Sequence, residues 1–221
     1  MGSIVDTCNV ALSHLGNARR VASIDPPDGS AEADYCATFY PIALKLSLEA
    51  ADWTFARKRR ALALLVTNDS EVWSYAYQKP SDCLVPRAIL TGDASKYEQD
   101  SADFLAEGDV IYSNQADASL LYTQPISDPT KFSAAFEDTL ALMLASYLAG
   151  PILKGTEGVN AKQGLRNLAQ ASVRGAVAND ANKQSLPTSF YPSALSARNG
   201  SAGSTTPSND PYQYGSGYAI S

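Results

Sequence analysis

Two pairs of carboxylates, Glu49 with Asp52 and Glu137 with Asp138, come closest in residue type and spacing to a chemistry. Glycoside hydrolysis requires only two carboxyl groups roughly 5 to 10 Å apart and no linear motif. A solvated helix face explains the same residues without a site, because Asp and Glu are mostly exposed. The other common chemistries lack their residues. Serine hydrolysis needs a nucleophile, a base and an orienting acid, and the one histidine, His14, lies between Leu12 and Leu15 at the end of a helical pattern. It reads as a satisfied structural histidine. Cys8, Cys36 and Cys83 are far apart with no CxxC spacing, so zinc has no ligand set. They read as small buried hydrophobes in a reducing compartment. No Gly-rich stretch ends in Gly-Lys-Ser or Gly-Lys-Thr to cradle a phosphate. No cofactor or metal is expected, and the chain reads as non-enzymatic.

The one basic cluster is Arg57-Lys58-Arg59-Arg60, which could form a nucleic-acid patch, a solvated face or a subunit contact. The whole chain carries 17 Lys and Arg against 23 Asp and Glu, a formal net charge of -6. Binding through many phosphate contacts needs the opposite balance. The 221 residues, 45% of them hydrophobic, can bury a real core. No apolar run approaches the roughly 20 residues of a membrane span, and Met1-Gly2-Ser3-Ile4 lacks the basic start of a secretory signal. A soluble protein, intracellular when made and without membrane insertion, is expected.

The elements that must position these groups follow from periodicity. Ile4, Cys8, Ala11, Leu12 and Leu15 recur at helical spacing before Gly16-Asn17, a natural stop. Ile24 to Ser30 is turn chemistry, and Ser30 or Asp28 can cap a second helix. That helix carries two apolar stripes, Cys36, Tyr40 and Leu44 on one side and Tyr35, Phe39, Ile42 and Leu46 on another, which predicts contacts on two sides. Pro41 removes a backbone donor inside it and predicts a kink or break. After Trp53 short segments at about 60–66, 72–78, 83–90, 104–112 and 118–124 are rich in Leu, Val, Ile and Tyr and read as strands. One inserted antiparallel sheet is the simplest account of them.

Helical periodicity returns after Ser127-Asp128-Pro129, where Asp128 suits the cap and Pro129 the first helical position. Phe132, Phe136, Leu140, Met143, Leu144, Tyr147 and Leu148 form its apolar face. Gly150-Pro151 should kink or end that helix, and Gly155 with Gly158 should mark the corner into a last one. The reading is mainly α (α+β): one domain over residues 1–181, with helices at about 3–16, 30–52, 129–154 and 159–180 and a β insertion at about 56–125. From residue 182 to 221 Ser, Gly, Pro, Asn and Tyr dominate, which predicts an extended arm that orders on a partner. Phe190, Tyr191, Tyr212, Tyr214 and Tyr218 are its candidate contact residues, since tyrosine supplies wide amphipathic area at low entropic cost.

The order of certain strings resembles a family. After a short helix come Asp25-Pro26-Pro27-Asp28-Gly29-Ser30, Phe39-Tyr40-Pro41 and above all Asp52-Trp53-Thr54-Phe55-Ala56-Arg57 followed by Arg60-Ala61-Leu62-Ala63. Tyr75 to Leu84, Phe136-Glu137-Asp138 and Leu140 to Leu148 continue the series. Together they resemble the tail tubular protein A family, the head-to-tail adaptors of short-tailed phages, over about residues 4–180. The resemblance gives Tyr40, Pro41, Trp53, Phe55 and Arg57 the standing of family motif residues with a structural role.

The resemblance implies a helical bundle with an inserted β region, assembled as a dodecameric ring between the portal protein and the tail nozzle protein. DNA would pass through its channel, the C-terminal arm would extend along the portal, and the protein would sit in the neck of the virion after assembly in the host cytoplasm. The acidic balance suits a channel through which phosphate must slide. Two other readings stand beside it: a tail-associated cell-wall glycan hydrolase working through paired carboxylates, and a DNA-contacting packaging protein using Arg57 to Arg60.

Overall fold

A computed structural model describes residues 2–90 and 101–181. All of them fall in the first of two compact units, Met1–Ser185. Among the described residues four α-helices and eight strands in two antiparallel sheets make a mixed α+β architecture, with every one of these strands lying between the second and third helices in the chain.

Helix α1 spans Ile4–His14 and begins at a reciprocal cap: the Asp6 N–H donates to Ser3 Oγ and the Ser3 N–H to an Asp6 carboxylate oxygen, each at 3.0 Å. Helix α2 spans Ala31–Ala50 and is capped by Ser30. Asp28 organises the turn before it, its carboxylate accepting from the Ala22 N–H at 2.7 Å and from the Ser30 N–H and Oγ. Bonds from Ser30 and then Ala22 hold that carboxyl down at about 2. Pro41 does not break α2, which runs through it to Ala50. The missing donor costs one bond to the Ala37 carbonyl, and burial of Cys36, Tyr40, Ala43 and Leu48 on the same helix offsets it. Among the described residues the second predicted stripe is covered only in part: Tyr35 and Ile42 are exposed, while Phe39 packs against the core and stacks on Tyr147.

Helix α3, Ala134–Leu153, begins five residues later than the Asp128 and Pro129 signals predict. Those two residues instead build a 3-10 turn, Pro129–Lys131, with the Asp128 carboxylate accepting from the Thr130 N–H, and Ser133 caps the helix. Its buried residues lie on every side, including Phe136, Leu140, Ala141, Leu142, Met143, Leu144, Ala145 and Leu148. A helix apolar all round is a core helix, and α1, α2 and α4 all pack on this one. By length and composition α3 could also cross a membrane, contrary to the reading that no apolar run is long enough; most of it is buried inside the protein.

Gly150-Pro151 lies in the last turn of α3, which ends close to the expected 154. The helix continues to Leu153, turns at Lys154 (φ 55°) and resumes from Gly155 (φ 56°) as α4, Gly155–Ala181, rather than near residue 159. One residue therefore joins the two longest contacting helices. The corner is tight at Gly158, where a Cβ would lie 2.9 Å from the Ala149 carbonyl oxygen, so only glycine lets the backbones approach.

The single predicted sheet is two sheets of four strands. The first runs in the order β1 (Arg57–Ala61), β8 (Ser119–Thr123), β4 (Val85–Leu90) and β5 (Ser101–Ala102). The second runs β2 (Ala63–Leu64), β3 (Tyr75–Gln78), β7 (Val110–Ser113) and β6 (Phe104–Glu107). The chain crosses between them at Leu62 and again at Asp103, because strands that change sheets need only a one-residue break in the ladder. The predicted strand at about 104–112 is a hairpin, folded back at Gly108 (φ 56°) and Asp109 with Glu107 opposite Val110. Tyr77, Ile89, Ile111, Ala118, Leu120 and Tyr122 form a small core between the sheets.

Candidate functional site

The strongest motif string, Asp52 to Arg57, lies where α2 ends and β1 begins. Trp53 is 1% exposed, its indole N–H donating to the Ser47 carbonyl at 2.8 Å. Its ring meets Phe136 edge-on at 5.0 Å, and Phe55 meets both Phe136 at 5.0 Å and Phe132 at 5.7 Å. Four aromatic rings thus lock the end of α2 to the start of α3, an arrangement in which offset and edge-on contacts add to plain burial. Arg57 then closes the corner with a two-pronged pair to Asp52, Nε to Oδ1 at 3.0 Å and Nη2 to Oδ2 at 2.9 Å.

A residue outside the motif completes the joint. Helix α2 ends without a basic residue in its last turn and without a glycine to turn its carbonyls inward. Arg87 serves that end from β4. Its Nη2 donates to the carbonyls of Ala51 at 2.6 Å, Glu49 at 3.3 Å and Leu48 at 3.4 Å, and its Nε donates to Thr123 Oγ1 at 2.9 Å. The pairing of β4 with β8 slips between Pro86 and Ala88, so Arg87 sits in a bulge that re-aims it out of the strand pattern. Burial pushes its pKa down from the ordinary value while Asp52 opposes the shift. The helix end favours the cation there.

The basic run Arg57–Arg60 occupies β1, an outer strand of its sheet. Its alternation sends Lys58 and Arg60 to one face, where Asp82 takes Lys58 at 2.6 Å and Arg60 at 4.0 Å. Tyr122 donates its hydroxyl to the same carboxylate at 2.9 Å. The Lys58 bond first, then the Tyr122 bond, pulls the Asp82 carboxyl below its usual range. Burial, then Asp82 itself, pushes the Tyr122 hydroxyl up to about 12. Arg57, Lys58 and Arg60 are therefore all engaged by the protein's own carboxylates.

Among the remaining predicted residues, Tyr40 lies in the same helical core as Trp53, and burial raises its hydroxyl to about 12. Pro41 is exposed and lines an open groove of about 550 Å³ with Leu44, Leu48, Leu84, Pro125 and Ile126. The structure therefore brings Trp53, Phe55 and Arg57 together and leaves Pro41 on a separate surface. Phe190, Tyr191, Tyr212, Tyr214 and Tyr218 lie outside the described residues. His14, read from the sequence as a satisfied structural histidine, is exposed in the last turn of α1. Cys8 and Cys36 are fully buried, and Cys83 is half-buried. A hydrogen bond to Cys36 and then burial push the Cys8 thiol up, and burial raises that of Cys83.

Three of the four paired carboxylates have structural partners. Asp52 is held by Arg57, Glu49 lies 4.0 Å from Lys45, and Asp138 accepts from Ser172 at 3.2 Å. Among the described residues no three His, Cys, Asp or Glu are grouped to hold a metal. The joint of Trp53, Phe55, Arg57 and Arg87 positions two halves of the fold and presents no group aimed at a substrate. No family model matches this chain, and no curated protein matches it.

Proposed function

We propose that this chain is the head-to-tail adaptor of a short-tailed phage, a structural virion protein forming a dodecameric ring between the portal and the tail nozzle and lining the channel for DNA. The four helices form the ring wall as a bundle, the β insertion faces the tail, and the arm from residue 182 docks on the portal. One observation carries the reading. The string on which the family resemblance chiefly rests, Asp52 to Arg57, holds α2, β1 and α3 in register through Trp53, Phe55, Phe136 and the Asp52–Arg57 pair. A motif whose residues set a fold and offer no reacting group suits a protein that acts by surfaces. The net charge of -6 supports a channel that does not retain phosphate.

Cryo-electron microscopy of the full chain mixed with the portal protein of the same genome tests this. A ring of twelve copies seated on the portal is the expected result, with mass photometry giving the state of each protein alone. A chain ending at residue 181 that binds the portal as well as the full chain would remove the arm's docking role. Absence of any complex, together with lysis of purified cell wall in zymography, would replace the adaptor with the glycan hydrolase.

A further inference from the structure

The helical half carries two oppositely charged faces. On the first, the Tyr147 ring stacks on Phe39 at 5.8 Å and carries two cations over it, with Arg166 Cζ at 5.8 Å and Lys162 Nζ at 6.0 Å from its centroid. On the second, a cleft of about 210 Å³ between α1 and α3 is lined by Asp6, Glu137 and Asp138 beside Val10, Ala134 and Ala141. Val10 is 46% exposed there, an uncovered apolar side chain among carboxylates. Among the described residues no ion pair reaches Lys162, Arg166, Glu137 or Asp138. Asp6 is already engaged within the chain, its carboxylate accepting from the Ser3 N–H at 3.0 Å with Arg20 nearby.

The two faces lie on opposite flanks of one rigid element. Asp138 and Tyr147 are nine positions apart on α3, about two and a half turns at 3.6 residues per turn, so they point in opposite directions. We propose that copies of this chain join head to tail, the Tyr147 face of one copy with Lys162 and Arg166 entering the Asp6, Glu137 and Asp138 cleft of the next. The contact pairs two cations with Glu137 and Asp138, and an aromatic ring with the exposed Val10 and Ala134. Different patches on opposite flanks make a heterologous interface, which repeats from copy to copy and closes when the rotation permits. Its closure into a ring rests on the adaptor reading; the pairing of the two faces does not.

Charge exchange tests the pairing on the full chain. Lys162→Glu with Arg166→Glu reverses the first face, and Glu137→Lys with Asp138→Lys reverses the second; circular dichroism establishes that both variants fold. Mass photometry alone and on the portal is expected to show each variant losing the assembly that the wild type forms. An equimolar mixture regains it, because the reversed faces meet each other and the native faces meet in the alternate contacts. A folded variant that assembles as the wild type does, or a mixture of folded variants that stays unassembled, overturns this interface while leaving the adaptor standing. A wild-type chain that is monomeric both alone and with the portal defeats the adaptor and the interface together.

Discussion

The helical and strand halves of this protein are held together by different means. The helical half has a continuous core in which Cys8, Leu12, Trp53, Phe136, Leu140, Leu144 and Leu148 are all within a few per cent of full burial. The strand half has six buried residues between its sheets, and it exposes Leu64, Val66 and Val72 along the connection from β2 to β3. Apolar burial of about 25 cal/mol per Å² therefore concentrates in the helices. The strands depend more on ladder pairing, on the Asp82 network and on the Arg87 seam. Core and seam should thus respond to mutation in distinguishable ways.

The largest effect is expected at Trp53. Trp53→Ala should cost about 3 to 5 kcal/mol, since it empties a buried site and orphans the Ser47 carbonyl, and chemical denaturation would read the loss. A cost below about 1 kcal/mol would mean that the aromatic joint is not what fastens α2 to α3. Arg87→Met comes next, at about 2 to 3 kcal/mol, because it keeps the aliphatic bulk and removes a charged donor from three carbonyls and Thr123. Hydrogen exchange should then rise at the end of α2 and along β4 together. Exchange confined to one of them would separate the two halves that this residue is argued to tie.

The smallest effects sharpen the contrast within the helices. Gly158→Ala should destabilise by about 1 to 3 kcal/mol, since its Cβ would press on the Ala149 carbonyl, which is backbone and cannot swing aside. Gly164→Ala, on the same helix with open space around it, should stabilise by up to about 1 kcal/mol through helix propensity. Thermal melting of the pair checks the sign difference.

Much of the helical half was legible because its apolar residues repeat at helical spacing and Ser30 marks the start of α2. At Pro41 the expected break is absent because packing outweighs the lost donor, and propensity is a local quantity that does not contain packing; Pro151 stands two residues before α3 ends, close to the end expected near 154. Asp128-Pro129 is a good helix start by type, yet Phe132 must reach Phe55 and Phe136, and that contact ends the 3-10 turn before Ser133 restarts the chain as α3. Strand positions were visible, but the division into two sheets was not, since alternation specifies faces and not neighbours. Trp53, Phe55 and Arg57 stood out by their sequence, whereas Arg87 carried no local signal. What could have found it was the bare end of α2, which lacks its own cation and glycine and so demands a donor from elsewhere.

The one-residue corner at Lys154 also orders events as the chain leaves the ribosome. Helices α1 and α2 emerge first, with Leu12, Cys36 and Trp53 waiting for a surface that α3 alone supplies. The whole β insertion must follow before Phe136 appears. Once α3 and α4 are out, their contacts are short in sequence and close a minimal loop, so this hairpin can form at once and act as the template on which the earlier helices condense. Synthesis therefore proceeds with the apolar faces of α1 and α2 uncovered until α3 and α4 arrive, the interval in which a chaperone would have most to hold.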